Sequence, residues 1–252
     1  MAITRMIKNL LPHSIRNILR RGRGCLTWDP WMNHSWSQEG EDMVLQRIFG
    51  SKKSGFYVDV GAHHPKRFSN TYLFYRRGWR GINVDAMPGS MKLFNKLRPR
   101  DTNLEIGVAQ HEGTLDYYVF NEPALNSFSA ELSEERSLAS NPYHLKDVIK
   151  VDVKPLRDIL DCYLGGRNID FLSIDVEGLD LDVLASNDWS KYRPNFVLAE
   201  VLKSSLHDLD QDPVAQFMKR QGYAVYAKQV NTVFFQDLSS SNRFNPPGKT
   251  IE

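Results

Sequence analysis

Two carboxylates separated by a single residue, Asp175 and Glu177, follow the apolar run Ile169-Asp170-Phe171-Leu172-Ser173-Ile174 and precede Gly178. Acids at the end of a buried strand can take a proton from a hydroxyl, and two that converge raise one another's pKa. Gly178 permits a sharp turn that would expose them. A third acid, Asp85, ends the run Gly81-Ile82-Asn83-Val84, and the small-residue turn Gly61-Ala62 ends Phe56-Tyr57-Val58-Asp59-Val60. In a parallel α/β sheet such strand ends open on the crevice where nucleotide-like ligands lie. Glycine in the first turn lets the backbone approach the ligand. An acid about 24 residues beyond Gly61 is placed to accept hydrogen bonds from ribose hydroxyls. These residues suit a nucleoside cofactor held beside a general base.

The turn narrows the choice of cofactor. A dinucleotide site reads Gly-x-Gly-x-x-Gly, because its second glycine makes room for a pyrophosphate. Here the corresponding positions hold His63 and Lys66. The cofactor expected is therefore one without a pyrophosphate, and S-adenosyl-L-methionine suits the turn.

The surrounding elements follow from periodicity. Acids Glu41 and Asp42 open a helix over 41–49 that Ser37 would cap, and Ser54-Gly55 ends it before strand 56–60. A helix over 69–78, a strand over 81–85, a Pro-opened helix over 88–97 and a strand over 103–109 come next. Residues 113–120 alternate like a strand at the sheet edge or in a hairpin, and the polar stretch 121–147 reads as a lid or binding loop. Strand 148–153, helix 156–163, strand 169–175, helix 179–184, strand 195–201 and helix 213–221 lead to a hairpin of 223–228 and 232–236. This alternation predicts one doubly wound, mostly parallel α/β sheet closed by a C-terminal antiparallel hairpin. The expected division is an N-terminal extension over 1–35, one domain over 36–238 and a loosely ordered tail over 239–252.

Composition bounds the partners. The 252 residues are 41% hydrophobic and 25% charged with a net charge of +2, which gives no electrostatic reason to expect nucleic acid. Cys25 and Cys162 have no companions at metal spacing, and a reducing cytoplasm fits. No apolar run approaches the roughly 20 residues needed to span a bilayer. Residues 1–24 carry Arg5, Lys8, Arg16, Arg20, Arg21 and Arg23 and no acid, with apolar residues at helical spacing. Such a basic amphipathic segment can lie on an anionic membrane, which would place the protein at the inner face; it equally suits packing on its own domain or a partner, and resembles a transit peptide.

Several motifs in order, Ser37-Gln38 with Glu41-Asp42, Val58-Asp59-Val60-Gly61-Ala62-His63, Ser69-Asn70-Thr71-Tyr72, Gly78-Trp79 with Gly81, Asn83 and Asp85, and Asp170 to Gly178, resemble an FkbM-type S-adenosylmethionine-dependent methyltransferase over roughly residues 36–236. The resemblance implies the seven-stranded Rossmann-like class I methyltransferase fold and transfer mostly to hydroxyls of sugars, glycans or polyketide-type metabolites. It implies that Asp59, Gly61 and Ala62 line the methionine and ribose part, that Asp85 holds the ribose hydroxyls, and that Ala86 and Val108 flank adenine. Ser37 and Gln38 would cover the methionyl end. The turn departs from the family's usual Gly-Ala-Asn-x-Gly, so His63, or Asn70 and Thr71, would hold the amino-acid end instead.

Candidate bases are Asp175 and Glu177, with His63 and His64 as rivals because histidine titrates near neutrality. Glu177 also suits a cap on the helix from Leu179. Glu200 and His207, after the fifth main strand, are expected with His64 and Asn126 to bind the acceptor, and Tyr72, Tyr75, Trp79, Phe128 and Tyr143 are aromatic candidates beside a sugar. Asp175, Glu177 and Glu200 offer oxygen donors for Mg²⁺, but nothing in their spacing requires one and no metal is expected. The Asn/Asp-Pro-Pro-aromatic tetrad of base-methylating enzymes is absent after the fourth main strand, where Asp175-Val176-Glu177-Gly178 stands. A binding or scaffold protein without turnover is the alternative of a different class.

Overall fold

The structure, a computed structural model, describes residues 31–50, 52–138, 140–202 and 205–239. The chain divides into units 1–34 and 35–252, and the description concerns the second. The basic segment 1–24 and the tail beyond Ser239 lie outside the described residues, as do the expectations of helix, membrane contact and loose order placed on them. Among the described residues no helix is long and apolar enough to cross a membrane.

In chain order the elements are α1 (Glu41–Phe49), β1 (Phe56–Val60), α2 (Tyr72–Arg76), β2 (Arg80–Asp85), α3 (Met91–Leu97), β3 (Thr102–Glu105), β4 (Gly107–Val108) and β5 (Gly113–Phe120). Then come α4 (Ala130–Leu138), β6 (Leu145–Lys154), α5 (Leu156–Tyr163), β7 (Phe171–Ile174), α6 (Asp180–Ala185), β8 (Phe196–Glu200), α7 (Pro213–Arg220), β9 (Tyr223–Gln229) and β10 (Thr232–Asp237). The seven-stranded sheet runs β3-β2-β1-β7-β8-β10-β9, parallel except that β10 is antiparallel to both β8 and β9. A smaller sheet runs β4-β6-β5.

The period of two along each strand sorts side chains between two cores. Val58, Val60, Leu172, Ile174, Val197 and Ala199 face α5, α6 and α7 through Leu156, Leu160, Val183, Leu184 and Met218. Tyr57, Phe171, Phe196 and Leu198 face the other way, onto Leu45 and Phe49 of α1, Phe74 of α2 and Trp79. With helices on both faces, β1 is buried at every position.

Several expectations are corrected. The predicted strand 103–109 breaks at Ile106, whose amide donates to the Asp85 carbonyl (3.0 Å); β3 pairs with β2 and β4 with β6, so the chain crosses from one sheet to the other. Continuous alternation does not mark where a strand changes partner. The strand 113–120 takes the second of its two expected places, pairing antiparallel with β6 outside the main sheet, whereas the expected loop 121–147 contains a 3₁₀ turn (Pro123–Leu125), α4 and the start of β6. The helix expected to open at Pro88 begins at Met91, because Gly89 adopts φ +85° in the preceding turn. Ser37 is not the cap of α1, a place taken by Gly40, but its Oγ accepts the Asp42 amide hydrogen (3.2 Å) and donates to the Asp42 carboxylate (2.9 Å).

One buried charge braces the α2–β2 side. Arg98 is fully enclosed; its Nε donates to Asp101 (2.9 Å), and Nη2 donates to Tyr57 Oη (2.8 Å) and Thr71 Oγ1 (2.9 Å). Removing one partner of a desolvated pair leaves the other charge uncompensated, at a cost of about 3–5 kcal/mol. Arg98→Met is therefore expected to lower the unfolding free energy by about that amount in urea titration; a loss below about 1 kcal/mol would show the pair to be dispensable.

Candidate active site

Parallel pairing in register sets Val60 beside Val84 and Ile174, so the ends of β1, β2 and β7 lie level. The next residues are Gly61, Asp85 (the last of β2) and Asp175. Gly61 has φ +80°, and a Cβ there would overlap the Asp175 carbonyl oxygen. Only glycine lets these two tips touch. The Asp85 carboxylate accepts the His63 amide hydrogen at Oδ2 (2.8 Å) and that of Met87 at Oδ1 (2.9 Å), which shapes both turns around it. Its pKa is raised by burial, against the pull of these amides.

A cleft opens at these tips. One end is apolar, with Val84, Ala86, Ile106, Val108 and the Tyr117–Phe128 ring pair (centroids 4.7 Å apart). The other holds Gln38, Asp175 and Glu177, while His63, Phe68, Pro123, Ala124 and Asn126 complete the lining.

Behind the acidic end the tips of β7 and β8 crowd carboxylates. An oxygen of each of Asp175, Glu177 and Glu200 lies within 4.8 Å of the others. Asp175 is open to the cleft but otherwise surrounded by protein; burial first, then Glu200 and Glu177, push its pKa well above the carboxylate range. Burial likewise pushes Glu200 up to about 8, helped by Glu177 and Asp180. Buried Asp180 accepts the Glu200 amide hydrogen (3.0 Å) and its own pKa is raised well, by desolvation and Asp175. Glu177 differs: burial raises its pKa, but Arg136 of α4 pairs with its carboxylate and opposes the rise. Its backbone is left-handed at φ +56°, a strain of about 1–3 kcal/mol for a residue with a side chain.

Of the residues expected at a site, the structure brings Gln38, Gly61, His63, Asp85, Ala86, Val108, Asn126, Asp175 and Glu177 to the cleft, with Glu200 beside the last two. Others lie outside its lining. Asp59 alternates away from Val60 onto the α2 face, where its carboxylate accepts from Thr71 Oγ1 (2.7 Å), and burial lifts its pKa to about 6. Thr71 is thereby engaged, Asn70 Nδ2 donates to Ser173 Oγ (3.0 Å), and Ala62 packs on Met91 and Phe94. Ser37 is held by Asp42. His64 turns its Nδ1 back to the amides of Lys66 and Arg67, and His207 is exposed in a turn whose amide donates to Ser205. Of the aromatic candidates only Phe128 lines the cleft; Tyr75 and Trp79 are core, Tyr72 packs edge-on against Trp36, and Tyr143 is exposed. Sequence reasoning missed Ile106, Gly107 and Tyr117, which reach the cleft through the second sheet, and Arg136, the one basic residue of Ala130–Leu138.

The strand order, with one reversed strand placed between β8 and β9, defines the Rossmann-like class I methyltransferase fold. The methyltransferase FkbM domain matches residues 59–225, and the chain belongs to that family. No curated protein matches it. Among solved structures it is similar to a protein described as an RNA methyltransferase from Pyrococcus horikoshii (10% identity, 78% of this chain and 82% of that one, TM-score 0.41). It is also similar to a methyltransferase from Geobacter sulfurreducens (13%, 94% and 96%, 0.39) and to a protein described as an O-methyltransferase from Klebsiella pneumoniae (13%, 92% and 93%, 0.35). Likenesses this distant identify neither reaction nor acceptor.

The family implies an S-adenosylmethionine-type cofactor, and the cleft's donor set fits one. Among the described residues its lining contains Asp85, Asp175 and Glu177 but neither Lys nor Arg, which favours a sulfonium over a phosphate. The apolar end suits a flat base, and Asp85 keeps oxygen lone pairs for a diol.

Raised carboxylate pKa values also make stability depend on pH. Glu200 has a folded pKa of about 8 against an ordinary 4.5. Its contribution to stability is complete below the lower value and is lost as pH rises through the higher one. The urea midpoint is expected to fall between about pH 5.5 and about pH 8.5, and to fall less in Glu200→Gln. An equal fall in both proteins would show that Glu200 is not titrating there.

Proposed function

We propose that the protein is an S-adenosyl-L-methionine-dependent O-methyltransferase acting on a hydroxyl of a sugar, glycan or related secondary metabolite. The observation that carries this reading is Asp175: open to the cleft, raised in pKa, and with no hydrogen bond to its carboxylate among the described residues. A carboxylate in that state is free to accept a proton, whereas Glu177 is committed to Arg136. His63 is a weaker candidate, since burial and Arg67 lower its pKa and its backbone serves Asp85. Burial and the absence of Lys and Arg among the described lining residues disfavour polyanionic acceptors, which supports a neutral alcohol over nucleic acid.

In this reading Asp85 accepts from the ribose hydroxyls, and Ala86, Ile106, Val108 and Phe128 enclose the base. Gln38 faces the amino-acid end. Bound S-adenosylmethionine supplies a methyl activated by its sulfonium. With the cofactor's sulfur leaving as a neutral thioether, Asp175 would accept the proton that the acceptor hydroxyl gives up, and its raised pKa makes it a stronger base for that role. A positioned base of this kind supplies roughly 10²–10⁴-fold. Asn126 and Glu200 border the acceptor side. Arg136 already supplies a positive charge to the acidic cluster, so no metal is needed for deprotonation.

Asp175→Asn is expected to lower kcat by about 10²–10⁴-fold while S-adenosylhomocysteine still binds. Asp85→Ala is expected to abolish measurable binding of that compound by calorimetry while the protein remains folded. Turnover is expected to be unchanged by a chelator. Methyl-labelled cofactor incubated with sugar nucleotides, glycolipids and extracted polysaccharide tests the acceptor class; label in none of these fractions would overturn it.

A further inference from the structure

The segment between β5 and β6 is tied to the tip of β7 at three points. Arg136 pairs with the Glu177 carboxylate, Ser127 Oγ donates to the Glu177 carbonyl (2.8 Å), and Leu132 closes over Gly178. Arg136 reaches further: its Nη1 donates to the Leu125 carbonyl (2.9 Å), in the turn beside Pro123, Ala124 and Asn126 of the cleft wall. Both side chains of the ion pair are 17% exposed, so solvent screens them far less than a surface pair.

The helix that carries Arg136 buries little of itself. Within Ala130–Leu138 only Ser133 is buried, and its other charges are Glu131, Glu134 and Glu135. An acidic helix with so small an apolar contact would be repelled by an acidic strand tip. Its single cation is placed on the one carboxylate whose backbone is left-handed. A strained residue of this kind persists only where its surroundings over-determine it.

We propose that Arg136 is a positioning residue: by holding Glu177 it fixes the strained tip of β7, keeps Glu177 out of proton transfer, and leaves Asp175 as the group that faces the acceptor. The proposal rests on the reading of Asp175 as base. Arg136 touches neither cofactor nor acceptor; it acts through Glu177. Without it, Glu177 loses its cation, is freed to share a proton with Asp175, and the helix loses its anchor.

Steady-state kinetics of Arg136→Gln, Arg136→Lys, Glu177→Gln and the double variant Arg136→Gln/Glu177→Gln test this. Arg136→Gln is expected to lower kcat at least about tenfold and move the acid limb of the kcat profile up by about one pH unit, with Lys recovering most of both. In the Glu177→Gln background, Arg136→Gln is expected to change kcat less than about twofold, because residues that act as one unit are not additive. An unmoved acid limb, multiplicative effects in the double variant, or a loss in Glu177→Gln equal to that in Asp175→Asn would overturn the proposal. Hydrogen exchange of the intact protein gives a readout without turnover. Amides of 130–138 are expected to exchange at least about tenfold faster in Arg136→Gln, and unchanged exchange would overturn the anchoring. If exchange responds but the unaltered protein methylates no acceptor, the anchor stands and the proposed function fails.

Discussion

The backbone of β1 and that of β7 meet at Gly61 and the Asp175 carbonyl with no room for a side chain between them. This contact closes the floor of the cleft and decides where the first acidic tip sits relative to the nucleoside turn. Pairing of β1 with β2 and with β7, both in parallel, then makes the remaining geometry follow. Asp85 comes level with Gly61, and Glu200 at the end of β8 comes to the flank of Asp175 and Glu177.

Crowding acids at one strand edge has a cost that the structure distributes unequally. Asp85 accepts two amide hydrogens, Glu177 pairs with a guanidinium, and Asp180 accepts the Glu200 amide hydrogen at one oxygen while its Oδ2 stays unpartnered among the described residues. Asp175 has none of these. Desolvation and its like-charged neighbours raise its pKa, and this unequal treatment separates carboxylates that look equivalent as residue types. The site's polarity therefore comes less from which acids are present than from which of them have been given partners.

The second sheet shows how an insertion becomes part of a site. The chain leaves the main sheet at Ile106 for β4 of the second, β5 and β6 form an antiparallel ribbon, and the chain between them returns with Asn126, Phe128 and Arg136. One wall of the cleft and the charge that restrains Glu177 are thus supplied by the same excursion.

Local pattern was enough for the central sheet. Runs such as Phe56–Val60 and Phe171–Ile174 are short, β-branched or aromatic and bounded by breakers, and the acids at their ends read as strand tips because period and burial are properties of neighbouring residues. Gly61, Asp85 and Asp175 are therefore legible from the sequence as strand ends, with Glu177 just beyond. Partnership between distant segments was not. Nothing adjacent to Asp59 says that its side chain turns toward Thr71, nothing near His64 says that its ring caps its own turn, and nothing in an acid-rich helix says that Arg136 meets Glu177. Those outcomes depend on which pleat face a residue takes once the sheet is assembled and on charges brought together across 41 positions of chain, and only the folded structure decides them.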